Sequence, residues 1–174
     1  METVYKLTRP DRTAHNGFKY EVGKEYRFSG IGELCGSGFS HAYLSLATAV
    51  LHNPIHGKFN PVIGWKCNAV IGKRDGHMKV GCTSIELIEQ VILPIVTPEQ
   101  RIAYEIHCIF PSVLPEWNKW AKDWLSGKNR SKETAWVAEA VAWAAWATAK
   151  NCDDLLSIAD WAITATDPFQ WKGM

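Results

Sequence analysis

The sequence predicts an α+β protein: a mostly antiparallel N-terminal sheet with one helix, followed by a C-terminal bundle of about four helices. Three observations carry this. Before residue 97 the apolar residues fall in short β-branched and aromatic runs broken by Gly and Pro. After it they recur at helical spacing, and eight of the nine tryptophans follow Glu116 among many alanines. Runs of strands followed by runs of helices define α+β rather than a doubly wound α/β sheet. Finally, 47% hydrophobic and 21% charged residues are ordinary globular values, so a packed core is expected.

Residues 3–8 (TVYKLT) form the first expected strand, stopped by Arg9-Pro10-Asp11. Residues 18–22 and 25–29 flank Gly23-Lys24 and suggest a hairpin. Gly30, Gly32, Gly36 and Gly38 make a turn-rich crossing, without the spacing or lysine of a phosphate-binding loop. Residues 41–52 follow as a helix, with Ser40 as its cap and Asn53-Pro54 as its end. Residues 62–71 read as a central strand, 73–76 as a turn, and 79–93 as a bulged strand or two strands.

Thr97-Pro98-Glu99-Gln100 has the form of a capping box with proline at the first helical position, opening a helix that runs to about Phe110. A second helix starts near Pro115, with Trp117, Trp120, Ala121 and Trp124 on one face, and stops at Gly127. A third is expected from Ser131 to about Lys150 and a fourth from about Leu155 to Thr166. Residues 1–96 and 97–174 are thus a strand-rich and a Trp/Ala-rich half, expected to form one compact unit.

Charge excludes little but is informative. Residues 1–96 carry eleven Lys/Arg against eight Asp/Glu, and residues 97–174 eight against ten, for a net charge of +1. Neither half is a basic arm, so nucleic-acid binding has no strong signal. The five cysteines (Cys35, Cys67, Cys82, Cys108 and Cys152) are scattered and odd in number, which disfavours a disulfide framework or a zinc knuckle. His52 and His56 stand four apart with Pro54 between them and no obvious third ligand, so no metal is expected; no cofactor is expected either. No apolar run reaches the ~18 residues of a membrane span.

Two stretches resemble a known group of proteins. Gly17-Phe18-Lys19-Tyr20-Glu21-Val22-Gly23-Lys24, then Tyr26 and Glu33-Leu34-Cys35 with Gly38-Phe39, is similar to the GFxYExGKxY…ELCxxGF pattern of an uncharacterised bacteriophage and prophage domain family. The segment from Trp120 to Ser131 resembles the WAxxWLSGxDRS motif preceding Ala-rich helices there, with Asn129 where aspartate is usual. The resemblance implies a phage- or prophage-encoded accessory protein working in the cytoplasm of a bacterial host. It implies no catalytic residues. A further similarity, in the order of Val4-Tyr5-Lys6, residues 38–43 and residues 62–65, is to small ADP-ribosyltransferase-like folds. It implies a nucleotide- or NAD-handling enzyme, with Lys6 at the early basic position and Glu86 or Glu89 as acid candidates.

Candidate catalytic residues gather in one loop: Glu33, Cys35, His41 and Tyr43. A thiol, an imidazole and a carboxylate are the parts of an activated nucleophile, once folding brings them into contact. The other candidates are indoles. Trp136 and Trp143 share a helical face and Trp146 widens it, while Trp171 follows Phe169 in the tail. Tryptophan is enriched at binding hot spots, so Trp136, Trp143, Trp146 and Trp171 are the expected partner-binding residues. The expected role is binding rather than catalysis. The partner is a bacterial host protein, blocked as in host takeover or anti-CRISPR-like defence inhibition, and a homodimer is an option. A nucleotide-handling enzyme is the alternative, and a virion or assembly accessory role the third.

Overall fold

The computed structural model describes residues 1–110, 115–131 and 154–170. The chain divides into two compact units, Met1–Pro94 and Ile95–Met174. The class is α+β: the described residues hold one antiparallel sheet of five strands and four helices.

In the first unit the strands are β1 (Glu2–Thr8), β2 (Glu25–Arg27), β3 (Ser40–Ala42), β4 (Ile63–Asp75) and β5 (Lys79–Val91), with helix α1 (Leu46–His56) between β3 and β4. β4 and β5 are a long hairpin, and β1 adds to the free side of β4. β2 and β3 share the other side of β5, at Ser84–Glu86 and Val80–Cys82 respectively. Tyr5 and Tyr43 then exchange two backbone hydrogen bonds of 2.8 Å, joining β1 to the residue after β3. The sheet therefore curls into a ring β1–β4–β5–β3–β1. Register shifts at Lys66/Cys67, Val70/Ile71 and Ile71/Lys73 supply the bends that such curvature needs.

Directly paired residues share a face, so the ladder identifies the interior. Val4 faces Cys67, Cys67 faces Leu87, Ala69 faces Ile85, and Ala42 faces Val80; all are fully buried. Trp65 fills the end of this core and donates its indole N–H to Thr8 Oγ1 at 2.9 Å. On the outer surface Leu7, Tyr43, Ala49 and Phe59 form a second apolar cluster beneath α1.

Several sequence expectations are corrected here. Residues 18–22 and 25–29 do not form a hairpin: β2 pairs with β5, Val22 bridges Leu87 in parallel, and Gly23 N–H donates to Leu87. The two runs meet through rings instead, with Phe18 4.8 Å from Tyr20, 5.2 Å from Tyr26 and 5.6 Å from Phe28. Ser40 does not cap a helix. It is the first residue of β3, and α1 is capped by Ser45, whose hydroxyl accepts from Thr48 N–H at 3.0 Å. Nor does Asn53-Pro54 end that helix. Pro54 lies inside its last turn, where it removes one helical hydrogen bond without ending the helix, and the Asn53 side chain closes the end by two hydrogen bonds to Phe59. The turn expected at 73–76 sits at 76–78, because Gly76 (φ +54°) takes the left-handed conformation that the hairpin needs.

The second unit contains α2 (Pro98–Ile109), α3 (Pro115–Leu125) and α4 (Leu155–Thr164). The capping box opening α2 is formed: Thr97 Oγ1 accepts from Gln100 N–H, and Gln100 Oε1 accepts from Thr97 N–H. Ala103, Ile106, Trp117, Ala121 and Trp124 make a common core, to which Phe169 adds from the tail. Trp117 and Trp120 bury indole N–H groups that have no hydrogen-bond partner among the described residues. α3 ends at Gly127 (φ +79°), and Arg130 then folds back to donate to the Trp124 and Leu125 carbonyls at 2.9 Å each. Its guanidinium lies 3.7 Å from the Phe169 ring centroid, which fixes part of the tail on this unit's core. α4 packs against α2, with His107 edge-on to Trp161 at 5.0 Å. Beyond Ser131, the helix expected from there to about Lys150 lies outside the described residues.

Replacing Thr97 by alanine removes one half of the capping box. The change is expected to destabilise the second unit by about 1 kcal/mol. Urea unfolding followed by tryptophan fluorescence checks this.

Candidate functional site

The candidate site lies where β1, β3, β5 and α1 meet, and it has an inner and an outer layer. The inner layer follows from the alternation of β1: Val4, Lys6 and Thr8 share a parity, so Lys6 enters the ring with the core residues. Lys6 is 5% exposed and, among the described residues, forms no ion pair. Its amine donates to the Ser40 hydroxyl at 3.2 Å and to the His41 carbonyl at 2.8 Å, and sits 4.8 Å from the Tyr20 ring centroid. Tyr20 O–H and Ser40 Oγ are 2.8 Å apart, completing a buried Tyr20–Ser40–Lys6 chain. Burial pushes the Cys67 thiol up to about 12 and the Cys82 thiol to about 11, while the Lys6 charge pulls both the other way. Both interior thiols are therefore protonated at neutral pH.

The outer layer is made by the residues that alternate with these. His41 pairs with Gly81, whose missing side chain leaves room for the Phe39 ring against the strand. The His41 ring contacts the Leu34 carbonyl through Nε2. Lys79, only 6% exposed, directs its amine to Cys35 Sγ at 3.0 Å. Tyr43 O–H meets His56 Nδ1 at 2.8 Å, with the two rings stacked at 5.9 Å and 18°. The last turn of α1 places His52 beside them, 5.3 Å from His56 and 6.3 Å from Tyr43. Burial holds the His56 imidazole down at about 4, helped by the charges of Lys79 and His41. His41 is lowered too, chiefly by burial and then by Lys6 and Lys79, with the Leu34 carbonyl opposing. Burial raises the Tyr43 phenol, which stays protonated.

Three of the four loop candidates thus come to one corner, in a connection the sequence did not suggest. Cys35 is exposed at the surface and meets Lys79; His41 is turned to the Leu34 backbone. Glu33 points away, its side chain 94% exposed and its carboxylate 3.5 Å from Lys73. Tyr43 is tied to His56, a residue singled out earlier only for metal spacing. Lys6 and Lys79 were missed as site residues of this cluster. The alternation of β1 groups Lys6 with Thr8 and against Tyr5 and Leu7, which reads as a polar face and hid its burial, while the contact of Lys79 with Cys35 joins residues far apart in the chain. The four indole candidates, Trp136, Trp143, Trp146 and Trp171, lie outside the described residues.

No group of three or more His, Cys, Asp or Glu side chains among the described residues is placed to hold a metal ion. No helix among them is long and apolar enough to cross a membrane. The comparisons match the chain to no family model, no curated protein and no solved structure.

Two expected outcomes follow from this geometry. Ser40→Ala leaves a buried phenol and a buried amine short of a partner, and is expected to cost about 1–3 kcal/mol in urea unfolding. Among Cys35, Cys67, Cys82 and Cys108, Cys35 is expected to react first with an aromatic disulfide reagent. Peptide mapping of the labelled thiol after brief exposure checks that order, and Cys35→Ser should remove the fast phase.

Proposed function

We propose that this chain is a phage- or prophage-encoded accessory protein that binds a bacterial protein in the host cytoplasm, as a takeover factor or anti-CRISPR-like inhibitor. The sequence resemblance supports the provenance. The observation that carries the binding role is the glycine-rich loop from Ser29 to Phe39. Gly30 N–H donates to the Gly38 carbonyl at 2.8 Å, and Gly30 (φ +71°) and Gly32 (φ +96°) turn the backbone on either side of Ile31. A Cβ on Gly38 would meet the Ile31 carbonyl oxygen at 2.0 Å, so the two strands of the loop are in close contact. Ile31 is left 78% exposed at the tip, flanked by the Glu33–Lys73 ion pair. An apolar anchor on a preordered loop with a charged rim is the arrangement that binds a protein without a large ordering cost.

In the same proposal the C-terminal half forms the bundle of about four helices, and Trp136, Trp143, Trp146 and Trp171 are further partner-binding residues in their own right. Self-association through these indoles is the other use proposed for them. The enzymatic alternative is a nucleotide-handling, ADP-ribosyltransferase-like protein. The placement of Lys79 against the exposed Cys35, with His41 beside the same loop, favours it, since a cation next to a thiol and an imidazole is a reactive set of groups. Calorimetry with NAD separates the two, because a pure protein binder gives no heat.

The loop supplies the main test. Immobilised protein should retain one stoichiometric partner from bacterial lysate, and Ile31→Asp should reduce its capture by about tenfold or more, as for an interface anchor. Undiminished capture by a folded Ile31→Asp protein would remove the loop from the interface.

A further inference from the structure

Cys35 and Lys79 are 44 residues apart in the chain, yet the amine and the sulfur meet at 3.0 Å. We propose that this pair is an oxidative modification site. A peroxide converts the Cys35 thiol to a sulfenic acid, and the Lys79 amine then closes on that sulfur to form an S–N cross-link. The bond fastens the glycine-rich loop to β5.

Each partner is held in place by structure of its own. Lys79 opens β5 opposite Asp75 of β4, and by strand alternation it lies on the face away from Val80 and Cys82. It is buried, so its stem is packed and its amine has a set position. Cys35 is set against that amine by its neighbours. Leu34 is buried and its carbonyl is contacted by His41 Nε2. On the other side, Gly36 N–H donates to the Glu33 carbonyl at 2.8 Å, and Gly30 N–H closes the base of the loop on Gly38. These backbone ties flank Cys35 and leave its side chain free for chemistry.

Access is divided between the two groups in a way that favours the cross-link. Cys35 is exposed, so a small oxidant in solution reaches its sulfur. Lys79 is covered, and the electrophile placed before its amine is that same sulfur once oxidised. The other two thiols of the first unit, Cys67 and Cys82, are fully buried inside the strand ring. Neither stands where Lys79 does.

The steps balance without a further reagent. The Cys35 thiolate attacks one peroxide oxygen, so an S–O bond forms and the O–O bond breaks. The second oxygen leaves as hydroxide and takes up the thiol proton as water. Sulfur has lost two electrons and the peroxide has gained them. The Lys79 amine, as its free base, then attacks the sulfur. An S–N bond forms, the S–O bond breaks, and the departing hydroxide takes one amine proton as water. Thiol, amine and peroxide thus give the cross-link and two waters. Because the amine already stands in contact with the sulfur, the second step is intramolecular and outpaces further oxidation from solution. The assignment holds whatever the loop binds.

Peptide mapping of the full chain after brief exposure to hydrogen peroxide and alkylation tests the site. The expected product joins the Cys35 and Lys79 peptides, is lighter by two hydrogens than their sum, and separates again on treatment with dithiothreitol. Cys35→Ser should abolish it. In Lys79→Met, which keeps an unbranched stem without the amine, trapping of the Cys35 sulfenic acid by dimedone is expected to rise by about tenfold or more, because the intramolecular step that consumes it is gone. Should Lys79→Met fail to fold, the wild-type map decides alone. Recovery of Cys35 only as sulfinic acid, sulfonic acid or an intermolecular disulfide would overturn the proposal. So would a bridge that retains an oxygen, or equal dimedone trapping in the wild type and a folded Lys79→Met protein.

Discussion

The two backbone hydrogen bonds between Tyr5 and Tyr43 are the constraint on which the first unit turns. Without them β1 would be an open edge and β3 a short strand on the far side of β5. With them, the alternation of every strand acquires an inside and an outside. Val4, Cys67, Leu87 and Val80 go inward, and the residues between them form the floor for α1. The inner face is mostly small and aliphatic, which suits a narrow ring. Lys6 is the exception, and its burial is tolerable because the closed ring delivers a hydroxyl and a carbonyl to its amine.

Closure also explains why the interesting chemistry collects at one corner. Two strands of thirteen residues cannot stay flat while a third bridges their far sides, and the register shifts along β4 and β5 let them bend. At this corner the outward residues are covered twice, by α1 and by the glycine-rich loop. Lys79 and Tyr43 are accordingly buried although they lie on the outer surface of the ring. Polar groups covered in this way exchange water for one another, and the ordered contacts among Cys35, Lys79, Tyr43 and His56 are the result.

What was legible in the sequence was local. The capping box at Thr97, the helical spacing of Trp117, Ala121 and Trp124, and the β-branched, aromatic strand at residues 3–8 all concern residues a few positions apart, and each appears in the structure. The start of α1 was not legible, because Ser40 and Ser45 are equally good caps and the choice between them is made by the edge of β5, some forty residues away. The hairpin at Gly23-Lys24 failed for the same reason: Leu87 captures the backbone that the hairpin would have used. Of the loop candidates, proximity along the chain brought Cys35, His41 and Tyr43 to one corner. It could not indicate that each would take a different partner.

β3 is only three residues long, yet it separates two environments. Ser40 and Ala42 face the interior and His41 faces out. A shift of one residue would place an imidazole in the aliphatic ring and withdraw the hydroxyl that joins Tyr20 to Lys6. Apolar patterning alone would barely resist such a slip in so short a strand. Here alignment is enforced by a buried amine that donates to one hydroxyl and one carbonyl. The strand is indexed by polar recognition, much as a single buried asparagine indexes a coiled coil.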